Sequence, residues 1–398
     1  MGKLNSNSKV AIFGSGAMGT GIAQVAATAG HDVKVYDKNQ ESIDRSEQNL
    51  RSLYGTLVSK GKISQETAND ILARISYPGS LEDLTEVDLV IEAIVEDLSA
   101  KQNLFSRIEL IVDEDTILAT NTSSLSIASI CAACNKPGRV LGIHFFNPAA
   151  LMPLVEIIPG VQTSGDTLVE ARNLIDSWGK TTVIARDTPG FIVNRVARPF
   201  YGEALRILDE GIADVATIDW AVKTIGKFRM GPFELMDYIG NDINYAVTES
   251  VFKEFFYDPR YRPSFTQKRM VEAGWLGKKS GKGYYDYHAD AKKPQPKTDE
   301  ALGKYIVSRM LVMLINEAVE ALYLNISSRD GIELAMTRGV NYPKGLLHWA
   351  DEIGVQKVLS ELQSLQNEYG EDRYRPSVLL KKMARENRKF FPDKVLEN

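Results

Sequence analysis

The chain opens on a short apolar strand, a glycine-rich turn and a helix of small residues, and this combination restricts the fold more than anything after it. Residues 9–13 (KVAIF) are an apolar run of β type, followed at once by Gly14-Ser15-Gly16-Ala17-Met18-Gly19. Gly21 to Ala29 is small and apolar, and Gly30 supplies a helix stop. A lone glycine motif is weak, but this one has a strand before it and a helix after it. Gly14 permits the tight turn, Gly16 lets backbone approach a pyrophosphate, and Gly19 lets helix pack on strand; Met18 belongs to the same cofactor-binding loop. The helix N-terminus adds N–H groups and a positive dipole end. A second strand, Asp32 to Tyr36, ends in Asp37, about 20 residues beyond the glycines, where an adenine-ribose ligand belongs. Its carboxylate accepts from ribose hydroxyls and repels a 2′-phosphate, which favours NAD over NADP. The alternative is a solvated Asp at a strand end.

Strand-like runs recur at Val87–Ala93, Thr116–Thr120, Val140–Phe145 and Thr181–Ala185, with helix-like stretches near 41–60, 98–110 and 164–178. Such alternation of apolar strands and helices predicts an α/β Rossmann-type, doubly wound parallel sheet. At 398 residues the chain exceeds one ordinary core, so two or three domains are expected. A net charge of -5 gives no reason to expect nucleic acid or a membrane as partner. No apolar stretch is long enough to span a bilayer, and neither a leader at the start nor a peroxisomal address at Leu396-Glu397-Asn398 is read; Met1-Gly2 with Ser6 fits only a short myristoylation pattern. Two cysteines point to a reducing compartment, with cytoplasm the expectation. Cys131 and Cys134 form a C-x-x-C pair, but no second pair completes a zinc site, so packing is the better reading and no metal is expected.

Several segments resemble the 3-hydroxyacyl-CoA dehydrogenase family, in that family's order. They are GSGAMGTGIA at 14–23, IEAIVEDLSAK at 91–101, NTSSLSI at 121–127, HFFNPAALMPLVEII at 144–158 and DTPGFIVNR at 187–195. GPFELMDYIG at 231–240 and GWLGKKSGKGYYDY at 274–287 continue the likeness over most of 9–288. It implies NAD-dependent oxidation of an L-3-hydroxyacyl-CoA at C3, in fatty-acid oxidation or a related acyl-CoA pathway. His144 is then the base and Glu156, twelve residues on, its partner. Ser123 and Asn194 become contacts to the substrate oxygen, with Ser123 also near the nicotinamide. Asn121, Asn147 and the pair Glu96 and Lys101 fall on the nicotinamide-ribose side.

The residues suit this chemistry on their own terms. Removing hydride from a secondary alcohol requires a base for the hydroxyl proton, and an imidazole suits that role. Of four histidines, His31 lies in a turn, His288 in a polar linker and His348 far down the chain. Only His144 ends a sheet strand, where open α/β sheets place their ligands. Glu156 stands in the apolar run Leu154-Val155-Glu156-Ile157-Ile158, where an unpaired carboxylate is costly; an outward-facing Glu on an edge strand is the alternative. For Ser123 the alternative is a helix cap, although Ser124 suits a helix beginning near Leu125 better. For Glu96 and Lys101 the alternative is a surface pair. Lys60 and Lys62, flanking Gly61, are candidates for the phosphates of CoA, and also ordinary helix-end lysines.

After Pro189-Gly190 the pattern changes to long helices, with Pro199 a predicted kink in Phe191–Gly211. The pattern then repeats. Asn194-Arg195 is echoed by Ser308-Arg309, Glu203-Ala204 by Glu317-Ala318 and Ile239-Gly240 by Ile353-Gly354, each 114 residues on. Tyr261-Arg262-Pro263-Ser264 returns as Tyr374-Arg375-Pro376-Ser377, 113 on. A constant offset over such a length predicts two tandem all-α copies. The divisions are an NAD-binding domain at 1–187, copy one at 188–288, a linker at 289–300 and copy two at 301–398. Asn194 becomes Ser308 and no glycine loop precedes copy two, so copy one should carry the site and copy two a structural role. Family members dimerise through this domain; the expectation is a monomer with an intrachain pseudo-dimer, or a homodimer. Competing readings are a β-hydroxyacid dehydrogenase acting on free acids, which by resemblance uses a catalytic lysine, and an NAD-binding structural protein of crystallin type on the same fold.

Overall fold

The computed structural model describes residues 4–392. Met1-Gly2 and Leu396-Glu397-Asn398, on which the targeting expectations rest, lie outside the described residues. The chain divides into two compact units at Phe191/Ile192.

The first unit runs β1 (Val10–Phe13), α1 (Ala17–Thr28), β2 (Val33–Tyr36), α2 (Gln40–Ser59), α3 (Gln65–Ala73), β3 (Ile75–Ser76), β4 (Leu89–Glu92), α4 (Leu98–Ile108), β5 (Ile117–Thr120), α5 (Ile127–Cys131), β6 (Val140–Phe145), β7 (Leu154–Pro159), α6 (Gly165–Ser177) and β8 (Thr181–Ile184). The strands form one sheet of order β3-β2-β1-β4-β5-β6-β7-β8. The outward winding of β1 to β6 is the doubly wound pattern, and β1, β4, β5 and β6 are buried along their whole length. The sheet is not parallel throughout, as the alternation predicted: β7 runs antiparallel to β6, and β8 parallel to β7. Only residues 146–153 join β6 to β7, too few for the crossover helix that a parallel return needs.

Helix α1 starts at Ala17, inside the glycine motif and ahead of the expected Gly21, with Gly16 at its N-cap and Gly30 at φ 104° stopping it. Helices α2, α4 and α6 lie within a residue or two of their predicted bounds. Helix α3 was not read from the sequence.

The second unit runs α7 (Val193–Val196), α8 (Arg198–Asp209), α9 (Val215–Thr224), α10 (Pro232–Ile239), α11 (Asn241–Glu254), α12 (Phe265–Glu272), α13 (Glu300–Tyr323), α14 (Arg329–Leu334), α15 (Leu346–Ile353), α16 (Val355–Tyr369) and α17 (Val378–Arg385). The repeat is visible in side chains as well as helices. Asp219 accepts from Phe233 N and Glu234 N at the start of α10, and Glu333, 114 residues on, accepts from Leu347 N and His348 N at the start of α15. Gly240 and Gly354 hold φ 106° and 96° before α11 and α16. Asp237 accepts from Tyr284 N and Tyr285 N, and Asp351 from Phe390 N and Phe391 N, so each copy pins its own tail in the same way.

Pro199 accounts for one difference between the copies. It stands in the first turn of α8, and the chain breaks into α7 and α8 just before it, whereas α13 continues unbroken for 24 residues with Met313 in the equivalent place. Where the copies meet, they exchange charges reciprocally. Glu317 accepts from Arg195 Nε at 2.6 Å and from Tyr261 Oη at 2.5 Å. In return Tyr374 Oη donates to Glu203 at 3.0 Å, and Arg309 lies 3.5 Å from it. All six side chains are almost fully buried. Among the described residues no helix is long and apolar enough to cross a membrane.

Candidate active site

The glycine loop is shaped by two different constraints. Gly14 (φ 101°) donates its N–H to Tyr36 O, and a Cβ there would lie 2.6 Å from Ala93 O. A Cβ on Gly19 would lie 1.7 Å from Gly14 O, so the helix could not sit so close on the turn. Gly16 differs: a Cβ there meets nothing within 4 Å, and the residue is exposed. No protein group demands its glycine; open space over a helix N-terminus fits a pyrophosphate approaching the backbone. Met18 is half-buried against the core of the first unit. Asp37, at the end of β2, accepts from Ser15 N at 2.8 Å and Ser15 Oγ at 3.1 Å, which fixes the carboxylate beside the turn where a ribose hydroxyl would be read.

His144 and Glu156 are direct cross-strand partners in the antiparallel register of β6 and β7. Nδ1 of the imidazole stands 2.8 Å from Oε2 of the carboxylate, with His144 5% exposed and Glu156 fully buried. With the carboxylate ionised, Nδ1 carries the hydrogen and Nε2 presents its lone pair. Phe146 and Phe191 flank the ring at 4.5 and 5.8 Å between centroids.

Ser123 lies in the loop after β5. Glu96 gathers this loop, accepting from Thr122 Oγ1 at 2.6 Å, Ser123 N at 2.9 Å and Ser124 N at 3.2 Å. Burial pushes the Glu96 carboxyl up, but the Lys101 ammonium, the Thr122 hydroxyl and the Ser123 N–H together hold it below its usual value. Lys101 is 1% exposed; its ammonium sits 2.5 Å from the buried Glu92 and 3.3 Å from Glu96, whose own side chain is 38% exposed, so Lys101 bridges a buried carboxylate to one at the surface. Glu92, fully buried, also accepts from Thr120 Oγ1 and Ile94 N. Sequence reasoning passed over Glu92, although a carboxylate in the apolar strand Leu89–Glu92 carries the same signal that singled out Glu156. Asn121 accepts from Phe145 N at 2.8 Å, tying the β5 loop to the end of β6 beside His144. Ser126, not Ser124, caps α5, which begins at Ile127 rather than near Leu125; Asp187, also missed, accepts from Ile127 N and Ala128 N at that helix start.

Asn147 is exposed just beyond β6, and Lys60 and Lys62 are exposed after α2. Asn194 is half-buried in α7, in the second unit. Cys131 and Cys134 are buried free thiols, pushed up by burial to about 12 and about 11, so neither is poised for thiolate chemistry.

Strands β1 and β6 run parallel within one sheet, so the loop that receives a dinucleotide and the imidazole that could take a proton open on the same carboxyl edge. Those are the two needs of hydride removal from an alcohol, and they set the chain among the NAD-dependent dehydrogenases. The comparisons narrow the class. Residues 9–188 match the NAD-binding domain of 3-hydroxyacyl-CoA dehydrogenase, and residues 190–287 and 305–390 match its C-terminal domain. The chain belongs to the 3-hydroxyacyl-CoA dehydrogenase family, oxidoreductases acting on CH–OH groups. It is 36% identical to a 3-hydroxyadipyl-CoA dehydrogenase of Escherichia coli K12, over 94% of this chain and 97% of that one. It is 42% identical to a probable 3-hydroxybutyryl-CoA dehydrogenase of Bacillus subtilis, over 70% of this chain and 97% of that one. A crystal structure of 3-hydroxybutyryl-CoA dehydrogenase from E. coli K12 superposes with a TM-score of 0.91 at 36% identity, covering 96% of this chain and 98% of that one.

Proposed function

We propose that the protein oxidises the C3 hydroxyl of an L-3-hydroxyacyl-CoA reversibly to the ketone, with His144 as base. The observation that carries the reading is the buried 2.8 Å contact between His144 Nδ1 and Glu156 Oε2 at the sheet's carboxyl edge. Glu156 fixes the tautomer and stabilises the imidazolium that forms as Nε2 takes the hydroxyl proton. NAD, when bound, accepts the hydride from C3. Ser123 and Asn194 hold the C3 oxygen. Asn121, Asn147 and Glu96 orient the nicotinamide-ribose side, with Lys101 acting through Glu96, while Lys60 and Lys62 meet the phosphates of CoA. The divisions follow the same logic: an NAD-binding domain at 1–187, a catalytic helical copy at 188–288, a linker at 289–300 and a structural copy at 301–398. The reciprocal ion pairs support a monomer whose second copy takes the place of a dimer partner. Two buried free thiols suit the cytoplasm.

The test is NADH absorbance on mixing with acetoacetyl-CoA. Wild type should turn over, and His144→Gln should lower kcat by about a hundredfold or more while NAD affinity stays near normal. Turnover retained by His144→Gln would remove that residue from its role. Cofactor binding without turnover in wild type would favour the structural-protein reading.

A further inference from the structure

The second unit contains its own control experiment. Because copy two repeats copy one at an offset of 114, the side chains near Asn194 have counterparts near Ser308. Some buried polar groups occur in both copies, as Arg195 with Arg309 and Glu203 with Glu317, while others, such as Asn241 with Val355 and Asn316 with Gly202, do not. One unmatched cluster adjoins Asn194. Arg198, Tyr201, Asn244 and Thr248 of copy one correspond to Val312, Ile315, Val358 and Leu362 of copy two, and Tyr342 of copy two corresponds to Phe228 of copy one. All ten residues are buried. Copy two thus fills with Val312, Ile315, Val358 and Leu362 the place that Arg198, Tyr201, Asn244 and Thr248 fill in copy one, so the polar set beside Asn194 is not something the packing requires.

The polar set is also unbalanced. Arg198 is 7% exposed, donates from Nε to Asn194 O at 2.8 Å and from Nη1 to Thr248 Oγ1 at 3.1 Å, and lies over the Tyr201 ring. Among the described residues no carboxylate pairs with it; the groups that bear on its charge are the Tyr201 and Tyr342 hydroxyls, and burial pulls its pKa down. Tyr342 Oη is buried with no hydrogen-bond partner. Tyr342 follows a π-turn at Ala335–Gly339 and a left-handed Asn341 (φ 53°) and packs edge-on against its own counterpart, Phe228. A buried guanidinium without an anion, next to a buried hydroxyl without a partner, is costly in an interior that manages without both on its mirror side.

We propose that Arg198 and Tyr342 form a subsite for a carboxylate at the far end of the acyl chain, making dicarboxylic 3-hydroxyacyl-CoA thioesters the substrate class. The assignment rests on Asn194 holding the C3 oxygen, as proposed above. Arg198 Nε lies 2.8 Å from the backbone oxygen of Asn194, which puts the guanidinium within reach of a short acyl tail. The anion supplies the missing counter-charge to Arg198, and the Tyr342 hydroxyl donates to it.

The experiment compares kcat/KM for two thioesters of equal length, 3-hydroxyadipyl-CoA and 3-hydroxyhexanoyl-CoA, which differ at the distal carboxylate. Wild type should favour the dicarboxylic substrate, and Arg198→Met should reduce the ratio of the two constants by roughly tenfold or more, since a polar site discriminates strongly against a ligand that leaves its groups unpaired. Tyr342→Phe, which installs the side chain already present at the mirror position, should reduce the same ratio by several-fold and keeps the test open if Arg198→Met does not fold. Equal use of both thioesters by wild type, or a ratio unchanged in Tyr342→Phe and in any folded Arg198→Met, overturns the subsite. Absence of turnover on either thioester by wild type would instead sink the dehydrogenase reading on which the subsite depends.

Discussion

The imidazole of His144 owes its readiness to strand register rather than to its neighbours in sequence. Twelve residues separate it from Glu156, yet the β6–β7 pairing sets them opposite each other. Exchanging Glu156 for Gln keeps the shape but offers the ring an amide that can donate as well as accept, so the tautomer with a free Nε2 lone pair is no longer enforced. By analogy with the loss of the orienting carboxylate in a Ser-His-Asp triad, Glu156→Gln should lower kcat by about a hundredfold, and by no more than His144→Gln does, with NAD affinity little changed. Steady-state rates alongside a fluorescence titration of NAD check this. A loss of less than tenfold would mean that Glu156 does not orient the base.

At the scale of elements, the glycine turn separates two demands that a sequence motif merges. Gly19 is required by the fold, because its Cβ would enter Gly14 O; Gly16 is required by nothing in the protein. Gly19→Ala should therefore lower thermal stability without cofactor. Gly16→Ala should leave that melting temperature nearly unchanged and weaken NAD binding, since its extra methyl occupies the space over the helix N-terminus. Melting with and without NAD distinguishes the two, and equal effects would contradict the division. The motif, β1, β2, Asp37 and the alternation of strands and helices were legible because local pattern and tertiary role coincide there. The antiparallel turn at β7 was not, since periodicity does not carry strand direction and only the short 146–153 connection hinted at it. Glu96 and Lys101 were found as a pair, but the buried partner of Lys101 is Glu92, which the family's spacing does not mark and only its apolar strand gives away. The repeat was legible through its constant offset. The Arg195–Glu317 exchange was not, because it joins residues 122 apart through packing of α7 and α8 on α13.

Over the whole molecule, the reciprocal exchange makes copy two a substitute for a partner. Burial pushes the Glu317 carboxyl up, but the charges of Arg195 and Arg260 and the Tyr261 hydroxyl outweigh it and hold the group below its usual value; Glu96 is lowered as well. Each carboxylate binds its proton more weakly folded than unfolded, so the stability it lends is complete above the unfolded carboxylate range, about 4.3, and is lost as pH falls through and below that range. Melting temperatures should decline on acidification below about pH 4.5, and Glu317→Gln should begin lower and decline less steeply. Breaking a buried pair from one side costs about 3–5 kcal/mol, because the remaining charge is stranded. Truncation after residue 290 removes Glu317 from Arg195 and Arg260, and takes Arg309, Arg373 and Tyr374 from Glu203, while exposing the apolar side of α8 that packs on α13. A second truncated chain carries the needed counterparts: its Glu203 stands where Glu317 stood, and its Arg195 where Arg309 stood. The truncated chain should therefore dimerise through a true two-fold, or aggregate where it does not. Light scattering after size exclusion reads the outcome, and a soluble, stable monomer would show that copy two does not cover this face.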